Sequence, residues 1–458
     1  MRLLDEFQTR LLQPFFGNHP HARELETISE ILDGEPDMAR LAHEDLTRGR
    51  DDARGRRGLS GDQVVRIGLL KMMHCLSYRE LAFFLQDSTA FRAFARLRSA
   101  RTLEWTTLQS NLTRITEKTW EQINRLLLSV AKEKGIESGK KIRTDCTAIE
   151  SNIHAPTDSS LLWDCVRVVT RLMGRAQNTF PNAEISFTDH TRRAKRRAHA
   201  IAFPPKGKKR AGHLLEKYRD LLKVTEKTYR HGQSALAKLE TIETPDIVKT
   251  LLADALAKEL KGHLESMARV IDQTQRRVLR GEQVPSGEKL LSIFETHTDI
   301  IVKAEREVVF GHKICLSAGA SSLILDCSVE DGNPADATLV RRTIERQIEI
   351  YGKAPRQVSF DGGFASKENL RIAKQDLGVQ DAAFHKKCGL EVAEMVKSPW
   401  VYKRLRHFRA GIEGLIGTLK NAFGLTRCLW RSLAGFKRCV WASVVGFNFL
   451  TLARHLRR

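Results

Sequence analysis

Apolar and polar positions alternate from Lys141 to Ile149, the two-residue period of a strand half-buried in a sheet. By parity, Ile142, Thr144, Cys146 and Ala148 share one face, and Arg143, Asp145, Thr147 and Ile149 share the other. Asp145 is thereby a carboxylate in mid-strand, where aspartate is disfavoured. Before this strand the pattern is helical. Residues 1–57 are polar and read as helical, ending in a charged, glycine-bearing arm, Arg48 to Arg57. Leu59-Ser-Gly-Asp62 caps a predicted helix from Val64 to Leu76, and Ser77 and Ser88 open two more. Arg79, Arg92, Arg96 and Arg98 are expected to point outward from them, as in a helix-turn-helix-like DNA reader; an ordinary three-helix bundle fits the pattern equally well. Two further helices are predicted around Leu108 to Ile115 and Trp120 to Lys132.

After Pro156 the helical period dominates again, over Leu161 to Met173, Leu214 to Leu239 and Ile247 to Leu279. Strand patterns return at His312 to Ser317 and Leu323 to Val329, with Gly319-Ala-Ser-Ser322 as a hairpin turn. A helix from Ala335 to Tyr351, a strand from Val358, a helix from Lys367 to Gln375 and a strand from Val379 to Phe384 follow. That order predicts an α/β layer with a mixed sheet.

Composition adds a partner. The 458 residues carry a formal net charge of +21, which points to a polyanion, most commonly nucleic acid. The strongest concentration runs from His190 to His199 and from Pro204 to Arg210, nine Lys/Arg without an acid. Arg192, Arg193, Arg196, Arg197, Lys208, Lys209 and Arg210 are therefore candidates for phosphate contact, although a charge run more often marks a solvated face. The eight cysteines show no CxxC pair, which excludes a zinc ribbon and a disulfide framework and suits a reducing compartment. With no secretory signal between Met1 and Phe16 and no uninterrupted apolar run of spanning length, a soluble intracellular protein without a membrane partner is expected.

Two more acids stand out. Asp361 closes the strand Val358-Ser-Phe360 and precedes Gly362 and Gly363, where a ligand-facing residue of an α/β sheet is commonly found; Asp-Gly is also a frequent turn pair. Glu413 lies on a predicted helix from Val401 to Lys420, whose apolar stripe is Leu405, Phe408, Ile412, Leu415, Ile416 and Leu419. Arg406, Arg409, Glu413 and Lys420 form the neighbouring stripe, so the plain reading of Glu413 is an ion pair with Arg409. Gly411, Gly414 and Gly417 recur on this helix at a cost in helix propensity, which predicts close packing or a kink.

Asp145, Asp361 and Glu413, in that order, resemble the DDE triad of bacterial insertion-sequence transposases. Asp145-Cys-Thr147 resembles D-x-T, Asp361-Gly-Gly-Phe364 resembles D-x-G-[YF], and Arg409, Glu413 and Lys420 match an R-(3)-E-(6)-K signature. That IS4-related signature has a tyrosine where this chain has Arg406. Leu59 to Leu97, Asn152 to Leu162, Phe310-Gly-His-Lys313 and the C-terminal Trp430, Gly435, Trp441 and Asn448-Phe-Leu450 are similar to the ISNCY and IS5 groups. The resemblance implies a ribonuclease-H-like catalytic domain made of residues 139–156 and 298–458. An N-terminal helical DNA-binding domain (1–98), a helical connector (99–138) and a helical insertion (157–297) complete the expected chain.

The resemblance further implies two magnesium or manganese ions held by Asp145, Asp361 and Glu413, since hard cations prefer carboxylate oxygens. Arg409, Lys420 and Arg406 would hold DNA phosphates, with Arg79 and Arg92 further out. The implied partners are double-stranded DNA, as terminal inverted repeats and target, and a second copy of the chain in a homodimeric synaptic complex. Cytoplasmic, nucleoid-associated action follows. A nuclease that cuts without joining and a DNA-binding regulator descended from a transposase are the alternatives. A serine or tyrosine recombinase would need an activated nucleophile cluster, which the sequence lacks.

Overall fold

The computed structural model describes residues 19–49, 58–97, 102–206, 210–243, 245–303, 307–385 and 389–458. Its opening helices are α1 (Pro20–Gly34), α2 (Pro36–Thr47), α3 (Gly61–Met73), α4 (Tyr78–Asp87), α5 (Thr89–Phe94), α6 (Trp105–Leu112) and α7 (Glu117–Glu133). Strand β1 (Lys141–Ser151) leads to α8 (Asp158–Thr179), α9 (Thr191–Ala202), α10 (Arg210–Glu240) and α11 (Ile247–Thr274). Then come β2 (Asp299–Lys303), β3 (Glu307–Ala318), β4 (Ile324–Val329), α12 (Val340–Tyr351), β5 (Gln357–Phe360), α13 (Lys367–Arg371) and β6 (Asp381–Phe384). The chain ends with α14 (Val392–Met395), α15 (Pro399–Ala422), β7 (Arg427–Cys428) and α16 (Leu433–Leu456). Two compact units result, residues 153–300 and the remainder.

In the larger unit the sheet runs β2-β3-β1-β5-β6, with β4 also on β3 and β7 on β1. β1 pairs antiparallel with β3 and parallel with β5, so the sheet is mixed. The β3–β4 pair is the expected hairpin about Gly319 to Ser322. β1 is covered on both sides rather than half-buried as expected. The face carrying Arg143 and Asp145 meets α15, and on the other Cys146 is in register with Cys315, whose thiol lies 3.9 Å from Thr343 of α12. Apolar residues of α1 to α7 and of the sheet form one continuous core.

The helices α3 to α5 begin at Ser60, Ser77 and Ser88, each of whose hydroxyls accepts an N–H of the first turn. Arg96 does not point outward: it is buried, pairing with Asp33 and, at 3.1 Å, with Asp62. Arg66, fully buried, joins the same acids at 2.7 and 2.8 Å. Removing either acid would leave two buried guanidinium groups to share one carboxylate, which is why these charges come as a set. Arg79 is exposed and stacks over Trp105, while Arg92 is half-buried and donates to the Leu85 carbonyl. Arg98 and most of the 48–57 arm lie outside the described residues.

α16 is long and apolar enough to cross a membrane by length and composition, although charged residues interrupt its apolar run. In the structure 72% of its apolar window is buried, and it packs on α1, α3 and α7 as a core helix. Asn448, completely buried on it, donates to Asn124 and to the Ile324 carbonyl, both at 2.7 Å, and accepts the Ile324 N–H at 2.8 Å. Asn448→Ala would orphan the Asn124 side-chain oxygen and the Ile324 N–H, while the Ile324 carbonyl keeps the Asn124 amide, and is expected to cost on the order of 2 kcal/mol. A urea midpoint equal to that of the wild type would refute this.

In the smaller unit α8 to α11 enclose their own apolar core. α9 buries Ala194, Ala198 and Ile201 and turns its cations outward. Arg193 (2.8 Å) and Arg197 pair with Asp220 of α10, whereas Arg192, Arg196 and Arg210 are exposed. Lys208 and Lys209 lie outside the described residues.

Candidate active site

The parallel ladder between β1 and β5 ends at the pair Thr144 and Phe360. The residue after each of these is an aspartate, Asp145 within β1 and Asp361 just past the end of β5, so the strand register brings the two acids side by side. Beyond Asp361 a single 3₁₀ turn, Gly362–Phe364, carries the chain away. Neither glycine needs a positive φ there. Gly363 is instead required by proximity, because a Cβ on it would lie 2.7 Å from Asp336 Oδ2. Asp336 in turn is held by Lys313 of β3 at 2.5 Å, and the same ammonium donates to the Pro334 carbonyl.

The third acid arrives on α15, which crosses the sheet and is pinned strand by strand. The Tyr402 hydroxyl donates to the Phe384 carbonyl of β6 at 2.9 Å, and Ser359 of β5 donates to the Leu405 carbonyl at 2.9 Å. Arg143 of β1 donates to the Phe408 carbonyl at 2.9 Å. The Arg143 guanidinium and the Lys141 ammonium also flank the Phe408 ring, at 4.7 and 4.2 Å from its centroid. Gly411 makes this possible, since a Cβ there would lie 2.2 Å from Arg143 Nη1. Gly414 and Gly417 face open space instead. At the residue after Phe408 the helix reaches Asp145.

There Arg409, 8% exposed, gathers all three carboxylates. Its Nη2 donates to Asp145 Oδ2 at 2.8 Å and lies 3.4 Å from Asp361 Oδ1; its Nη1 donates to Glu413 Oε1 at 2.9 Å. The expected Arg409–Glu413 ion pair is therefore one arm of a larger cluster. Exposure rises outward, from 15% for the Asp145 side chain to 37% for Asp361 and 65% for Glu413. Burial pushes the Asp145 carboxyl up to about 6, and the charge of Asp361 adds to this against the pull of Arg409 and the Cys146 N–H. That N–H donates to Asp145 Oδ1 at 2.8 Å.

Among the described residues, no group of three or more His, Cys, Asp or Glu side chains is arranged to hold a metal ion. Chemically the set still fits a hard divalent cation: it offers carboxylate oxygens only, and the place they face already holds positive charge. Lys420 is half-buried and lies with Ile416 and Leu419 over Thr147 and Ile149. Arg406 is exposed on α15, as are Lys403, Arg404 and His407, and Arg404 stacks on the exposed Trp400. Arg143, Ser359, Tyr402 and Asp336 were not anticipated as parts of the site. For Arg143 the signal was present, since parity places it on the face of Asp145.

Residues 302–448 match the family model described as Transposase DDE domain. This stretch contains Asp361, Arg409, Glu413 and Lys420 and begins after Asp145. It supports reading the chain as a DDE transposase. No curated protein and no solved structure matches the chain.

Proposed function

We propose that this chain is a DDE-type transposase that binds the ends of an insertion element, hydrolyses a phosphodiester bond there and joins the freed 3′-hydroxyl to target DNA. The observation carrying this reading is the meeting of Asp145, Asp361 and Glu413, from β1, the end of β5 and α15, around one guanidinium. The similarity of residues 302–448 to a transposase DDE domain supports it independently.

Asp145, the most buried, Asp361 and Glu413 would hold the magnesium or manganese ions. Bound ions supply an activated attacking oxygen and stabilisation of the leaving oxygen. The chain's own part is to aim the carboxylates. The β1–β5 register fixes two of them, and the Tyr402, Ser359 and Arg143 bonds to α15 fix the height of the third. The exposed Arg406, Lys403 and Arg404 of α15, with Lys420, would receive phosphates, and Arg192, Arg196 and Arg210 would add sequence-independent contact. A homodimer holding two ends belongs to the same reading.

The test incubates purified protein with DNA carrying the inverted repeats that flank its reading frame, plus a target plasmid, in Mg²⁺ or EDTA. Metal-dependent 3′-hydroxyl ends and joined products are expected. Cleavage without joined products would mean a nuclease of the same fold, and end binding without cleavage a regulator.

A further inference from the structure

Arg409 is an unusual neighbour for a set of would-be metal ligands. Its terminal nitrogens are committed to the three carboxylates, and its Nε is buried without a hydrogen-bond partner. The charged head is therefore anchored by the acids and not by the surrounding fold. A carboxylate oxygen accepting a guanidinium N–H at 2.8 or 2.9 Å has that lone pair occupied, and a dication on the same oxygens would sit beside a fixed positive charge. The guanidinium and the metal thus compete for the same atoms.

An exit is available. Glu413 is 65% exposed, and on its side of α15 Gly414 and Gly417 present no side chain and face open space. A guanidinium leaving the acids would emerge on the face that carries the exposed Arg406, where a phosphate can take the bidentate place of the carboxylates.

Resting on the function proposed above, we infer that Arg409 is an internal counter-ion that shuts the metal site in the absence of DNA: it holds the three acids together, must leave for metal to enter, and is drawn off by a DNA phosphate. Metal and DNA then strengthen each other's binding, because each favours the state in which Arg409 has left the acids. Arg409 is here a positioning residue with a switching role. The chain withholds its cutting machinery until substrate is present.

The experiment measures Mn²⁺ binding to the full chain by the loss of the free-ion electron paramagnetic resonance signal, without DNA and with a short duplex of the element end. Wild type, Arg409→Gln, Arg409→Lys and Asp361→Asn are compared, with the duplex alone as blank. Without DNA, Arg409→Gln is expected to bind Mn²⁺ roughly tenfold or more tightly than wild type, and the duplex should tighten wild type but not the variant. A merely structural role for Arg409 predicts the opposite, a weaker site. Arg409→Lys retains one charge but cannot span three acids, so it should fall between the two. Should the Gln variant fail to fold by circular dichroism, the Lys variant decides alone. Equal or weaker binding by the variants overturns the inference and leaves the metal site standing. If Asp361→Asn binds as wild type does, or no form binds Mn²⁺, the functional reading fails as well.

Discussion

Asp361→Asn is expected to abolish cleavage and joining while leaving end binding, measured without metal, within about twofold of wild type and the fold intact. The substitution keeps the shape of the side chain and removes its charge. Asp361 has one recorded ion pair, at 3.4 Å to Arg409, and is partly exposed, so the fold loses little. Its register neighbour Asp145 loses a like charge, which works in favour of stability. What disappears is one anionic ligand for a dication. Where metal stabilisation of the transition state is worth several kcal/mol, its loss lowers the rate by about three orders of magnitude or more. Cleavage measured with pre-bound labelled ends reads this directly. A variant that cuts within tenfold of wild type would remove Asp361 from the site.

The largest effect on stability is expected at Gly311. This residue of β3 lies opposite Glu150, and a Cβ added to it would stand 1.8 Å from the Ile149 carbonyl oxygen and 2.8 Å from the Glu150 Cα. All of these are backbone atoms of the central strand, so no rotamer change can relieve the clash. The strands must part, breaking ladder hydrogen bonds a few residues from Asp145. Gly311→Ala should cost on the order of 4 kcal/mol, a large share of the net stability of an ordinary domain. Urea unfolding followed by tryptophan fluorescence measures it, and a midpoint indistinguishable from wild type would mean that β1 and β3 approach less closely than described.

Local periodicity made much of this legible. The alternation from Lys141 to Ile149 assigned faces that the structure keeps, with Arg143 and Asp145 both toward α15. Asp361 was marked by a strand ending in Asp-Gly-Gly, and the Glu413 helix by an apolar stripe that is buried or half-buried at each expected position. Properties set by distant partners were not legible. Arg96 looked like a surface cation because nothing nearby announces Asp33 and Asp62 as its counter-charges. Two of the five Lys/Arg of α9, Arg193 and Arg197, pair with Asp220, again far along the chain. α16 carries no one-sided stripe, since it is apolar nearly all round, and a helix buried on every side erases the signal by which helices are found. Gly411 was noticed as costly, but that it exists to admit Arg143 follows only once β1 lies beneath α15.

Along the sequence Asp145 precedes and Glu413 follows residues 153–300, and α16, mostly buried in the core of the larger unit, comes after both. During synthesis Asp145 therefore emerges well before α16, the helix on which α1, α3 and α7 pack. Without Leu433–Leu456 the faces of α1, α3 and α7 that α16 covers would stand open to water, so the larger unit would lack the helix that joins its N-terminal helices together.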